Sequence, residues 1–183
     1  MLPSHGPYEG RARYSDLVSE YLLCTVVGAL LTPEYAGFFS IGDGVVVIND
    51  ELIELGPFSD NEPPYMAYSL LKTRWTEQEL NFSILRVVST DELESFLIGT
   101  DGVLHLRDSA EQTLPGSTDR IGPLSQFCRE DRYFNKSGIR KRLARIQSRQ
   151  PNYSVGGNVI EEARLRDDTT LIVGRKRKES SDV

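Results

Sequence analysis

The chain has little of what marks several common classes of protein. Its 183 residues include two cysteines, two histidines and one tryptophan. Cys24 and Cys128 lie in apolar-rich segments with no CxxC or Cys/His spacing. That excludes a zinc knuckle or a disulfide framework and predicts two buried free thiols. No apolar run approaches the roughly 20 residues that cross a bilayer, and the longest apolar-rich stretch is Tyr21 to Leu31. The opening Met1-Leu-Pro-Ser-His-Gly-Pro lacks the basic and apolar regions of a secretory signal, so a cytoplasmic protein without membrane attachment is expected. A surplus of positive charge is also missing. The net charge is -6, which argues against a general nucleic-acid binder, because neutralising phosphates takes an excess of Lys and Arg.

What is present suits one domain with a proper core. Hydrophobic residues make up 39% and charged residues 26%, ordinary values for a globular chain. Residues 1–13 are rich in Pro, Gly and Arg without an apolar period and are expected to be loose. Residues 14–177 form the domain, and 178–183 a charged tail.

Within the domain, Tyr14, Leu17, Val18, Tyr21, Leu22, Val26, Ala29 and Leu30 recur at three and four, predicting one helix from Tyr14 to Leu31 closed by Pro33. Tyr35–Ile41 and Val45–Ile48, joined by Gly42-Asp43-Gly44, read as a β-hairpin continued by Leu52 to Leu55. A proline-rich segment from Gly56 to Thr76 reads as loop with a helical turn at Tyr65 to Leu71, and its Asn61-Glu62 are turn formers or face a substrate. Leu80 to Val88 and Phe96 to Thr100 read as strands, and Val103 to Asp108 starts a helix. Further helices are expected at Ile121 to Phe127 and Ser137 to Gln150, the second with a basic face. Asn152 to Asn158 reads as loop, Val159 to Arg164 as a helical turn, and Thr169 to Val173 as the last strand. Strands of antiparallel character with helices before and between them define an α+β class, an antiparallel β-sandwich flanked by helices.

Two aspartates carry the chemistry. Asp101 follows the apolar run Phe96-Leu-Ile-Gly-Thr100, and Asp167 precedes the run ending at Val173. A carboxylate at a strand end is a turn former or a cap, or it is a hard oxygen ligand presented at a sheet rim. Asp43 allows the same two readings, with the turn preferred. His105 is weighed as a general acid against a structural role.

Thr100-Asp101-Gly102 after a strand, followed late by Arg166-Asp167-Asp168-Thr-Thr-Leu-Ile-Val173, resembles the last two metal-binding motifs of the type 2C metal-dependent serine/threonine protein phosphatases. Ile41-Gly42-Asp43-Gly44-Val-Val-Val and Asn61-Glu62-Pro63-Pro64-Tyr65 resemble the bacterial branch of that family. The resemblance runs from about Tyr14 to Arg177. It implies two packed antiparallel sheets with helices outside, two divalent cations, manganese or magnesium, and a phosphorylated protein substrate. Asp101 and Asp167 would be metal ligands, supported by Gly102 and by Asp168, which stands where many family members have Asn.

The resemblance also implies an early aspartate and a glycine-rich Asp-Gly motif upstream of the first long helix. Neither is here, since Asp16 is the only aspartate before Asp43. A phosphate-binding arginine is unassigned, with Arg11 and Arg13 the candidates. The expectation is a domain lacking its N-terminal part, with a sheet edge or core face left open. Such a chain is either an incomplete phosphatase with little turnover of its own or an inactive binding or regulatory module of the same fold.

Overall fold

The computed structural model describes residues 7–148, 151–154, 157–160, 165 and 168–177. Helix α1 (Pro7–Tyr21) leads into strand β1 (Val26–Leu31), so the single helix expected from Tyr14 to Leu31 is corrected, as is the loose segment expected before Tyr14, which is helical from Pro7. Val26, Ala29 and Leu30 mimic a helical period. The β-branched pair Val26-Val27 instead favours a strand whose Val27 and Ala29 face the core. Cys24 lies in the link between the two elements and is exposed, which corrects the expectation of two buried thiols.

β1 pairs antiparallel with β2 (Tyr35–Ile41), and β2 with β5 (Ser83–Ser89), to form the first sheet. The second sheet has the order β4-β3-β6-β9, from β3 (Gly44–Ile48), β4 (Glu51–Leu55), β6 (Ser95–Gly99) and β9 (Leu171–Arg175). β3 and β4 are joined by Asn49-Asp50, both left-handed at φ 48° and 73°, the two-residue turn whose twist matches a hairpin.

The hairpin expected across Gly42-Asp43-Gly44 is a corner between the sheets. β2 belongs to the first and β3 to the second. The reason lies in Val45 to Ile48, which are buried on both faces. Val46 and Ile48 pack toward the first sheet with Phe38 and Ile98, and Val45 and Val47 toward the helices with Leu97, Leu106 and Phe127. A strand that feeds two core layers occupies the middle of its sheet. Gly44, at φ 142°, lies so close to β6 that a Cβ there would sit 2.8 Å from the Gly99 carbonyl oxygen.

On the helical side are α2 (Gly102–Asp108), α3 (Gln126–Arg129) and α4 (Gly138–Gln147). α3 is shorter than expected because Gly122, at φ 83°, and Pro123 interrupt the segment before it. Ile146 of α4 is buried, with Ile139 and Leu143 packed on the same core, as their spacing predicts. Ser137 stands at the start of α4 but makes no capping hydrogen bond. Strands β7 (Pro151–Ser154) and β8 (Gly157–Ile160) pair with each other where a loop was expected, and most of the helical turn expected over Val159 to Arg164 lies outside the described residues. The architecture is α+β, two packed antiparallel sheets with helices. Among the described residues no helix is long and apolar enough to cross a membrane.

Candidate active site

The antiparallel pairing of β6 with β9 sets Gly99 opposite Leu171. It thereby brings residues 168–170 alongside 100–102 at one rim of the second sheet. Thr100 fastens the two segments three times: its N–H donates to the Thr170 carbonyl (3.0 Å), its hydroxyl donates to the Asp168 carbonyl (3.0 Å), and the same oxygen accepts from the Thr170 N–H (3.1 Å). Asp101 is the half-buried residue at the head of α2, and its Oδ1 accepts from the Gly102 N–H at 2.9 Å. One oxygen therefore does the capping that the simpler reading assigned to it.

Gly102 is buried against Asp168 and Thr169, where a Cβ would lie 2.7 Å from the Asp168 carbonyl oxygen and 2.6 Å from the Thr169 hydroxyl oxygen. Glycine is needed here for close approach, not for an unusual φ. Of the predicted residues, Asp101, Gly102 and Asp168 thus meet at one rim. Asp167 lies outside the described residues.

Asp43 and Tyr65 are additions to the site read from sequence. Asp43 precedes β3, whose Val45 pairs with Gly99, so it emerges at the rim that carries Asp101. Burial, then the charges of Asp43, Glu62 and Asp101, hold the Tyr65 phenol above its ordinary pKa of 10.0, which ties all three carboxylates to one neighbourhood. The Tyr68 ring packs edge-on against Tyr65 at 5.3 Å, and its hydroxyl donates to Glu62 at 2.6 Å. Arg74 bridges Glu62 (3.2 Å) and Asp60 (3.1 Å). The proline-stiffened segment thus holds Glu62 between Tyr68 and Arg74, near the Tyr65 that also senses Asp43 and Asp101, a neighbourhood weighed in sequence but set aside. The corner at Gly42 to Gly44, which carries Asp43 to this rim, has no local sequence signature that separates it from a hairpin turn.

His105, one turn into α2, is half-buried, and its buried Nδ1 has no hydrogen-bond partner among the described residues. Carboxylate and carbonyl oxygens are the donors that hard divalent cations take. Among the described residues, however, no three of His, Cys, Asp and Glu stand close enough to hold a metal. The described rim does not enclose an ion by itself.

Two packed antiparallel sheets with helices, and strand-end carboxylates gathered at one rim, define the class as an α+β sandwich. The family model described as Protein phosphatase 2C matches residues 5–146, most of the chain, and the chain belongs to that family. The match includes Asp43 and Asp101 and ends before Asp167 and Asp168. Neither the curated proteins nor the solved structures contain a match.

Proposed function

We propose that residues 14–177 are a metal-dependent serine/threonine phosphoprotein phosphatase domain of bacterial type, acting in the cytoplasm, with weak or no turnover on its own. The observation that carries the reading is the junction of β6 and α2, where Thr100 fixes Asp101 beside Asp168. Asp101 and Asp167 would hold divalent cations, manganese or magnesium, with Gly102 and Asp168 supporting them. Bound cations would supply an acidified water and positive charge for the phosphate oxygens of a slowly hydrolysed monoester. The chain's own part is positional: Thr100 holds the strand ends in register, Gly102 admits the Asp168 carbonyl, and the half-buried Asp101 keeps a carboxylate at the rim.

We also infer that the sandwich is N-terminally incomplete. Between β1 and β9 lies an open cleft of about 240 Å³ lined by Thr25, Val27, Ile98 and Ile172, and Ile172 is 58% exposed although its neighbours form core. A second reading, an inactive binding or regulatory module, is favoured by the lack of three grouped ligands among the described residues. Two measurements separate them. Manganese binding followed by electron paramagnetic resonance is expected to fall in Asp101→Asn and in Asp167→Asn, and binding unchanged in both refutes the metal assignment. Hydrolysis of an aryl phosphate with manganese that disappears in Asp101→Asn supports the enzyme; metal binding without hydrolysis supports the module.

A further inference from the structure

Away from the rim carboxylates, a concavity of about 610 Å³ follows the start of α4, and five of its nine lining residues are cationic: Arg132, Lys136, Lys141, Arg142 and Arg145. None of the lining residues is acidic. Arg132 pairs with Glu130 at 2.6 Å, and Arg142 donates to the carbonyls of Arg120 (2.7 Å) and Ile121 (2.8 Å). Lys136, Lys141 and Arg145 have no carboxylate partner among the described residues. Gathering unpaired like charges costs self-repulsion that an anionic occupant relieves, and the positive end of the ten-residue helix α4 adds to the same field.

The groove is continuous with the candidate site. A neighbouring concavity of about 500 Å³ shares Tyr133, Asn135, Lys136, Ser137 and Gly138 with the first and extends to Thr169 and Thr170. Thr170 is bonded to Thr100, beside Asp101. One wall therefore runs from the cation cluster to the rim.

We propose that this groove binds an acidic peptide segment and leads it toward the Asp101 rim, so that the substrate class is a phosphoprotein with acidic residues flanking the phosphorylated side chain. Only the last clause rests on the phosphatase reading; capture of the acidic segment does not. Peptide is favoured over nucleic acid by two features. The chain is acidic overall, at -6, which repels a long polyanion wherever it leaves the groove. The one aromatic residue lining the groove is not free for base stacking: Tyr133 is 4% exposed.

The test is fluorescence anisotropy of a labelled hexaglutamate peptide with the full chain, in metal-free buffer. Binding is expected, weakening with added salt. The double variant Lys141→Glu/Arg145→Glu is expected to weaken it by about tenfold or more, since each reversal removes an attraction and adds a repulsion. Lys72→Glu, exposed and outside the groove, should change it little. All three side chains are exposed, and circular dichroism checks that the variants fold. Absence of hexaglutamate binding overturns the proposal, as does equal binding by the double variant or tighter binding of an oligouridylate of the same charge. A chain that binds hexaglutamate but not manganese would lose the phosphatase reading and keep the groove. Aryl phosphate hydrolysis without hexaglutamate binding would do the reverse.

Discussion

Gly102→Ala probes the contact on which the rim geometry turns. Two effects oppose each other. Alanine is the better helix former, worth up to about 1 kcal/mol in a helix interior and less at the first turn, where Gly102 sits. Against this, its Cβ would stand 2.7 Å from the Asp168 carbonyl oxygen and 2.6 Å from the Thr169 hydroxyl oxygen. The hydroxyl can rotate away, but the carbonyl is backbone and is held by Thr100 at 3.0 Å. Forcing a methyl into a filled site of this kind costs about 1–3 kcal/mol, so sterics win and the net loss is about 1–2 kcal/mol. The strain falls on residues 168–170, which share the rim with Asp101, so manganese affinity should fall as well. Urea unfolding gives the stability change, and paramagnetic resonance gives the affinity. A variant as stable as the parent with unchanged manganese binding would show that Asp168 does not press on Gly102, and the juxtaposition of Asp101 with Asp168 would be lost with it.

Two other expectations come from ionisable groups. Burial, and then the hydrogen bond to Glu62, push the Tyr68 phenol from 10.0 up to about 12. The folded chain therefore keeps a proton that the unfolded chain gives up, so this stabilisation is complete below pH 10 and is lost as pH rises toward about 12. Glu62→Gln removes the anion but not the burial and should lower the native tyrosine titration only part of the way; a tyrosinate absorbance titration identical to the parent's would refute the link. Cys128 is buried, its thiol pushed up to about 11 chiefly by that burial, whereas Cys24 is exposed. Mass spectrometry after alkylation of the native chain should find Cys24 modified and Cys128 modified only after unfolding, and early labelling of Cys128 would place it outside the core.

The sandwich was legible where strands end in chemistry and less so where they change sheet. Phe96 to Thr100 and Thr169 to Val173 could be read because each is a short apolar run with a carboxylate at its end, and they pair as β6 and β9. The helix-to-strand change near Cys24 was hidden because Val26, Ala29 and Leu30 follow Leu22 at spacings of three and four and so continue the apolar period of α1 across the link. The corner at Gly42 to Gly44 was hidden for another reason: a glycine-flanked turn looks the same locally whether its strands pair or part. What decides is how many faces the next strand buries, which depends on elements as distant as Phe38 and Phe127. Glu62 was weighed as substrate-facing and set aside because only the folded chain shows Tyr68 and Arg74 fixing its carboxylate.

The convergence of the rim follows from strand direction more than from any one contact. In an antiparallel sheet, neighbouring strands begin and end at the same rim by turns. In the order β3-β6-β9, β3 starts, β6 ends and β9 starts at one rim, which is why Asp43, Asp101 and Asp168 arrive together although far apart in sequence. The opposite rim receives Asn49, whose Oδ1 accepts from the N–H groups of Glu94 (2.8 Å) and Ser95 (3.1 Å), pinning the register of β3 against β6 from the far end. A slip of one residue would turn every side chain of β6 to the other face, exchanging Leu97 for Ile98 between two cores already filled. The packing of the two cores thus penalises the slip that would displace Asp101, so the hydrophobic layers, remote from the chemistry, are what hold the carboxylates in place.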